Sequence, residues 1–170
     1  MGPRRDALWL TLTQDGPGSA PVVIFPYAGE FTAPEHLEFS GTLDLYVPTP
    51  QGRYDVVVVG TNGMRREHRG VLTHEMGAHV TSTAREHTAE LLLTLHNHGA
   101  HGLNYTVTPR DYAAEDTAIL VHVGPQATQS VAWSVSRSYG WYDLAVSVAE
   151  DPTFARRLTG HFPRGHQPAS

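Results

Sequence analysis

A chain of 170 residues with a formal charge of −5 has room for one ordinary domain or two small ones, and without cysteine it forms no disulfide. No basic stretch alternates with aromatic residues, which argues against a nucleic-acid partner, and no apolar run approaches the roughly 20 residues of a transmembrane helix. Residues 1–6 lack the apolar core of a signal peptide, so we expect a cytoplasmic protein or a fragment of a longer exported one.

Short stretches of alternating apolar and polar residues run along the whole chain, and helical periodicity is nearly absent. This pattern predicts an all-β protein with antiparallel strands. The segment 81–95 is interpreted as a loop followed by a strand, because it begins with β-branched residues and ends with leucines. In chain order the predicted strands are 8–13, 22–25, 43–47, 54–59, 64–70, 91–95, 104–108, 118–123, 129–135 and 142–148.

One sequence pattern occurs twice. Tyr54 and Asp55 begin a predicted strand, and Tyr142 and Asp143 do so again 88 positions later. Further along each copy comes an arginine and then a glycine, at Arg66 and Gly70 and at Arg156 and Gly160. An internal repeat of this kind predicts two tandem β-sandwich modules, which we expect to be immunoglobulin-like. The predicted bounds are 6–72 and 88–163 for the modules, 73–87 for a linker and 164–170 for a disordered tail.

The repeated residues are interpreted as structural rather than catalytic. A glycine two positions before each tyrosine permits a left-handed backbone, and the tyrosine ring is expected to pack inside while its hydroxyl bonds to a loop backbone. Asn62 and Gly63 predict a tight turn after the first strand. Arg66 and Arg156 are each predicted to pair with the aspartate of their own module, and contact with a bound anion is the alternative.

The first copy resembles the signature of the C-terminal domain of bacterial phosphocholine-specific phospholipases C. It reads Tyr54-Asp55-Val56, then Thr61-Asn62-Gly63-Met64-Arg65-Arg66, then Gly70. The family signature is Tyr-Asp, an apolar strand, Gly-Pro-Asn-Gly-Phe-x-Arg, a spacer and Gly, and the family carries the domain in tandem. Thr61 stands in place of the family's proline, Met64 stands in place of its phenylalanine, and the second copy lacks the Asn-Gly turn.

The resemblance implies that the chain is the non-catalytic C-terminal region of a secreted enzyme. Such an enzyme cleaves phosphatidylcholine or sphingomyelin in a large N-terminal phosphoesterase domain, which lies outside these 170 residues, so no catalytic residue is assigned here. The implied partner is that phosphoesterase domain, and a phospholipid surface is left open. No cofactor is expected.

A histidine-rich stretch supports a second hypothesis. His96, His98 and His101 have the His-x-His-x-x-His spacing, which resembles the motif of metallo-β-lactamase-type hydrolases, so they are candidates for binding zinc and activating water. Ala100 replaces the aspartate of that motif. A polar hairpin turn is the favoured interpretation of this stretch.

Exposed aromatic residues support a third hypothesis, a free-standing carbohydrate-binding or adhesion sandwich. The side chains that would stack on sugars are Trp9, Trp133, Trp141 and Tyr139. For Trp133 and Trp141 a half-buried core position is preferred, since polar residues alternate with them. Glu30 and Glu35 are expected in a solvated loop.

Overall fold

The computed structural model describes residues 7–14, 18–61, 63–72, 77–110 and 118–162. Asn62, residues 73–76 of the predicted linker and the predicted tail lie outside these ranges. The described residues form thirteen strands and one 3-10 helix, and every paired strand is antiparallel, so the all-β prediction is confirmed. Within these ranges no helix has the length and apolarity needed to cross a membrane.

The strands are short and most are bounded by turns rich in glycine or proline. In chain order they are β1 (Ala7–Gln14), β2 (Ala20–Pro26), β3 (Glu35–Phe39), β4 (Gly41–Pro48), β5 (Arg53–Val59), β6 (Arg65–Val71), β7 (Ala78–Arg85), β8 (Glu90–Asn97), β9 (Leu103–Pro109), β10 (Ile119–Val123), β11 (Thr128–Ser134), β12 (Trp141–Val148) and β13 (Asp151–His161). The 3-10 helix, Pro50–Gly52, precedes β5.

The strands form three sheets. The largest has eight strands in the order β10-β9-β12-β13-β6-β5-β2-β3, and the others have the orders β1-β4 and β11-β8-β7. We call β1–β6 the first half and β8–β13 the second half, because the two sets of six strands pair in the same pattern. Strand β7 pairs with β8 and has no counterpart among the described strands of the first half.

Each half buries a separate cluster of apolar side chains, supplied by the alternating pattern of its strands. The first cluster is Leu8, Leu10, Val22, Ile24, Phe39, Val47, Tyr54, Val56 and Val58. The second is Leu91, Leu93, Leu95, Leu103, Tyr105, Val107, Val123, Val131, Trp133, Val135, Tyr142, Leu144, Val146, Val148, Phe154 and Leu158. Full burial of one such side chain contributes about 1.5–3 kcal/mol, so these clusters dominate the stabilisation of the fold.

Two strands and one turn depart from the predicted pattern. Strand β3 was not predicted, and β7 forms where we expected a loop and a linker. β7 carries small and polar residues on both faces, and its pairing with β8 supplies the regularity that its own sequence lacks. We expected residues 150–153 to form a turn two residues longer than its counterpart in the first copy, but β13 already begins at Asp151, whose carboxylate accepts hydrogen bonds from Thr153 N and Oγ1. The module bounds and their immunoglobulin-like type stay predictions.

Strands β6 and β13 join the two halves inside the large sheet. In their register, Arg66 opposes Leu158, Arg156 opposes His68, and Glu67 opposes Arg157 between these two pairs. Arg66 and Arg156 occupy equivalent positions of the two halves. The register therefore relates the halves by an approximate twofold axis that passes through the Glu67–Arg157 pair.

Candidate functional site at the junction of the two halves

The two repeated arginines cross the junction, and each binds the tyrosine of the opposite half. Arg66 Nη2 donates to the hydroxyl of Tyr142 at 2.7 Å, and Arg156 Nη2 donates to the hydroxyl of Tyr54 at 2.7 Å. Each guanidinium also donates from Nη1 to a backbone carbonyl oxygen of the neighbouring strand, at 2.9 and 3.1 Å respectively. Charged donors of this kind form stronger hydrogen bonds than neutral ones, so these contacts hold the two halves together.

This arrangement differs from the predicted pairing of each arginine with the aspartate of its own module. Successive side chains of a strand point to opposite faces, so Asp55 and Asp143 point away from the face that holds the two tyrosines. Arg66 and Arg156 lie on the tyrosine face. The acceptor role of the tyrosine hydroxyls toward an arginine of the other half was not predicted.

The repeated glycines make room for the tyrosine rings. Gly70 pairs with Tyr54 and Gly160 pairs with Tyr142 in the strand register. A Cβ atom on either glycine would lie 2.7 Å from Cζ of the facing tyrosine, which is too close for any other residue. Gly52, which precedes the first tyrosine by two positions, has a φ of 76° and agrees with the predicted left-handed backbone.

The opposite face of the junction carries a network of charges. Arg157 donates to both carboxylate oxygens of Asp143, from Nε at 2.9 Å and from Nη2 at 2.8 Å. Thr159 Oγ1 donates to the same carboxylate at 3.2 Å, and the Asp143 side chain is only 4% exposed. Arg157 Nε also lies 3.6 Å from Glu67 Oε2. Asp143 is thus held by two-point pairing with an arginine.

Asp55, the equivalent residue of the first half, has different surroundings. Burial raises the pKa of its carboxyl above the ordinary value, and the charges of Glu30 and Glu67 raise it further. The charge of Arg69 on the neighbouring strand lowers the pKa and offsets part of this rise. The surroundings of Asp55 therefore disfavour its charged form.

Glu30 corrects the sequence interpretation, which put it in a solvated loop. Its side chain is buried, and its carboxylate accepts hydrogen bonds from the backbone N–H groups of Ala28 at 2.8 Å and Asp55 at 2.9 Å. Glu35 is exposed, as expected, but it is the first residue of β3 and not part of a loop. The local sequence around Glu30 carries no signal for burial, since one of these two partners, Asp55, is 25 positions away.

A groove of about 620 Å³ lies on the tyrosine face of the junction. Arg66, His68, Arg156 and Leu158 line it from β6 and β13, and residues of β1 and β7 line it on either side. Burial lowers the pKa of His68 well below its ordinary value, and the charges of Arg156 and Arg66 lower it further. This histidine is consequently neutral at pH 7.

Three histidine rings meet beside this groove, but they are not the predicted three. The ring centroids of His79 and His96 are 5.2 Å apart, those of His96 and His98 are 5.7 Å apart, and those of His79 and His98 are 6.2 Å apart. His79 enters this cluster because it is the cross-strand partner of His96 in the β7–β8 hairpin. Partial burial, and then the neighbouring histidines and Arg156, lower the pKa of His79.

The candidate zinc ligands His96, His98 and His101 are not grouped around a common point. Across residues 7–14, 18–61, 63–72, 77–110 and 118–162, no group of three histidine, aspartate or glutamate side chains is placed to hold an ion. The stretch is instead a turn built on buried Asn97, whose Nδ2 donates to the carbonyl oxygens of His101 at 2.7 Å and Val123 at 3.0 Å. Asn97 Oδ1 accepts from Gly99 N at 2.9 Å. The geometry favours the polar-turn interpretation.

The aromatic residues of the carbohydrate hypothesis have unlike surroundings. Trp133 is buried in the second cluster, as preferred, and Trp141 is half-buried with its ring 4.4 Å from that of His161. Trp9 is 52% exposed and makes an edge contact with exposed Tyr46, with 4.2 Å between ring centroids. Tyr139 is exposed. No observation favours sugar binding over the other functions.

Comparison with known proteins identifies the family. The family described as "Bacterial phospholipase C, C-terminal domain" matches residues 74–161, which include β7–β13. The chain is 32% identical to hemolytic phospholipase C of Pseudomonas aeruginosa over 117 residues, which are 67% of this chain and 16% of the relative. It is 26% identical to non-hemolytic phospholipase C of the same species over 169 residues, which are 94% of this chain and 24% of the relative. The chain thus spans less than a quarter of either relative, and it belongs to the bacterial phospholipase C C-terminal domain family.

Proposed function

We propose that the chain is the non-catalytic C-terminal accessory region of a longer, secreted phospholipase C-like enzyme. In this proposal the enzyme hydrolyses phosphatidylcholine or sphingomyelin in an N-terminal phosphoesterase domain outside the 170 residues. The observation that carries the proposal is the family match over residues 74–161, together with two relatives named as phospholipases C. The two halves are, in the same proposal, tandem sandwich modules with the bounds 6–72 and 88–163.

The repeated residues support an accessory role. Tyr54, Tyr142, Arg66 and Arg156 bind one another across the junction, and Gly70 and Gly160 provide space for the tyrosine rings. The residues that define the repeat are thereby engaged in holding the halves together. We propose that the resulting body packs on the catalytic domain, with a phospholipid surface as the competing partner.

The test compares three proteins: the 170-residue chain, the longer protein that contains it, and that longer protein without residues 7–162. Each is assayed with a soluble phosphocholine ester and with phosphatidylcholine or sphingomyelin vesicles. We expect no turnover by the chain alone and turnover of both substrates by the longer protein. Hydrolysis by the purified chain, or a coding frame without an upstream phosphoesterase region, contradicts the proposal.

The truncated protein separates the two partners. If the region packs on the catalytic domain, its removal lowers turnover of the soluble ester and of vesicles alike, because the catalytic domain loses a supporting surface. If the region contacts lipid, removal lowers turnover of vesicles alone, and the isolated chain sediments with the vesicles. The second result overturns packing on the catalytic domain as the accessory role.

A further inference from the structure

Strands β1 and β8 occupy equivalent positions, but their edges are covered differently. β8 pairs with β11 on one edge and with β7 on the other. β1 pairs with β4 on one edge, and no described strand pairs with its second edge. An unpaired edge presents a row of backbone N–H and C=O groups that are ready to bind another strand.

The groove at the junction lies along this open edge. Six consecutive residues of β1, 8–13, and four consecutive residues of β7, 79–82, line it. Consecutive side chains of a strand point to opposite faces, so a long run of neighbours is expected where the edge of a strand borders the groove. The floor contributes only three consecutive residues from each of β6 and β13, 66–68 and 156–158, and both edges of these strands are paired. The groove therefore separates the open edge of β1 from the edge of β7 that does not pair with β8.

The approximate twofold axis through Glu67 and Arg157 shows where a counterpart of β7 would lie in the first half. This axis relates β8 to β1, so it relates β7 to a position beside the second edge of β1. Among the described strands none occupies that position, and the groove is found there. A strand in this place would lie over β6 and β13, as the rest of the layer formed by the smaller sheets lies over the large sheet.

We propose that this groove accepts one extended strand of the same polypeptide, which precedes β1 in the longer protein as β7 precedes β8. This inference rests on the proposed function, which makes the chain part of a longer protein. The accepted strand hydrogen-bonds to β1 by strand addition, in which backbone bonds supply affinity and alternate side chains supply specificity.

The chemistry of the accepted strand follows from β7. Ala78, Val80 and Ser82 are half-buried, while the residues between them are exposed. A strand beside β1 has the groove floor of β6 and β13 beneath it, so its inward side chains are small, as they are in β7. Proline is excluded at the positions that donate to β1, because it has no backbone N–H.

The test places a copy of β7 before β1. A variant of the chain carries a copy of residues 78–89, which are β7 and its turn, directly before Ala7 in place of residues 1–6. A matched control carries the same copy with proline at the positions of Val80 and Thr81. Neighbouring residues of a strand direct their N–H groups to opposite edges, so one of these prolines removes a donor toward β1. Hydrogen exchange of the β1 amides is then measured in both proteins, with the β8 amides as the internal reference.

We expect exchange of alternate β1 amides to slow by roughly tenfold or more in the variant, while the proline control exchanges like the original chain. Equal exchange in variant and control overturns the proposal. A second overturning result is β1 exchange in the original chain that slows with protein concentration as the chain dimerises, because the occupant is then a second copy. Neither measurement depends on hydrolysis, so failure here is distinguishable from failure of the proposed function.

Discussion

The two halves share the sequence Tyr-Asp at the start of one strand, yet the two aspartates have different electrostatic surroundings. Asp143 is paired at two points with Arg157, whereas burial and then the charges of Glu30 and Glu67 raise the pKa of Asp55 against the opposing charge of Arg69. Glu67 and Arg157 hold equivalent positions on the central strands. A shared motif and a shared strand pattern thus place the side chain but do not determine whether its charge stabilises the fold.

The tyrosine face shows the same divergence at two further pairs of positions. His68 of the first half corresponds to Leu158 of the second, and Met64 of the first corresponds to Phe154 of the second. The guanidinium carbon of Arg156 lies 4.1 Å from the centroid of Phe154. The second half therefore provides a more apolar and aromatic environment at the junction, and this difference can be measured by changing equivalent residues in pairs.

The largest expected difference concerns the two arginines. Arg156 is buried and stacks on two rings, whereas Arg66 is half-buried and stacks on one. We expect Arg156→Ala to lower the free energy of unfolding by about 3–4 kcal/mol and Arg66→Ala by about 2 kcal/mol, since each change leaves a tyrosine hydroxyl without its donor. Urea denaturation measures both values.

Exposed Arg65→Ala is the control, with an expected change in the free energy of unfolding of about 0.5 kcal/mol or less. Equal losses at the two equivalent positions contradict the comparison.

The two aspartates give the next largest difference. Asp143→Asn removes the acceptor of a two-point pair whose carboxylate is buried, and we expect a loss of about 2 kcal/mol after allowing for the partial exposure of Arg157. Asp55→Asn removes a charge that the fold disfavours, and we expect stability to change by about 0.5 kcal/mol or less, or to rise. Thermal unfolding at pH 7 compares the two variants. A larger loss from Asp55→Asn than from Asp143→Asn shows that the assigned surroundings are wrong.

The smallest expected difference concerns pH. The pKa of His68 is depressed in the folded state, so the unfolded chain binds more protons below its ordinary pKa of about 6.5, and stability is lost as pH falls through that value. His68→Leu copies the residue of the second half and should reduce the loss of stability between pH 7 and pH 5 by about 1 kcal/mol. Part of the loss persists because the pKa of His79 is lowered too.

Urea denaturation at the two pH values measures this effect. His36→Leu, which changes an exposed histidine of β3, is the matched control and should leave the pH dependence as it is. If His68→Leu and His36→Leu behave alike, His68 does not carry the acid sensitivity assigned to it.

Local patterns in the sequence predicted most strands and the repeat, but they did not predict the contacts at the junction. The alternation of apolar and polar residues predicted β5 and β12, because this pattern depends only on residues that are neighbours in the sequence. The bond from Arg66 to Tyr142 joins residues 76 positions apart, and that from Arg156 to Tyr54 joins residues 102 apart. A local sequence motif gives no information on contacts between residues so far apart in the sequence.

The histidine cluster shows the same limit. The spacing of His96, His98 and His101 suggested one local site, whereas strand pairing brought in His79 and left His101 at the far end of a turn. The strand that carries His79 was itself missed, because β7 has no apolar face long enough to predict it.

The Glu67–Arg157 pair sits where the approximate axis crosses the sheet. In an assembly of two identical copies, a residue on such an axis faces its own counterpart, so any charged side chain there would meet a like charge. In this chain the two positions belong to separate codons of one gene and vary independently. Glu67 and Arg157 are opposite in charge, with 3.6 Å between Oε2 and Nε. Because the two halves are parts of one chain, opposite charges can meet at the axis, which is impossible between two identical copies. This ion pair also favours contact between the two unlike halves over contact between two copies of the same half.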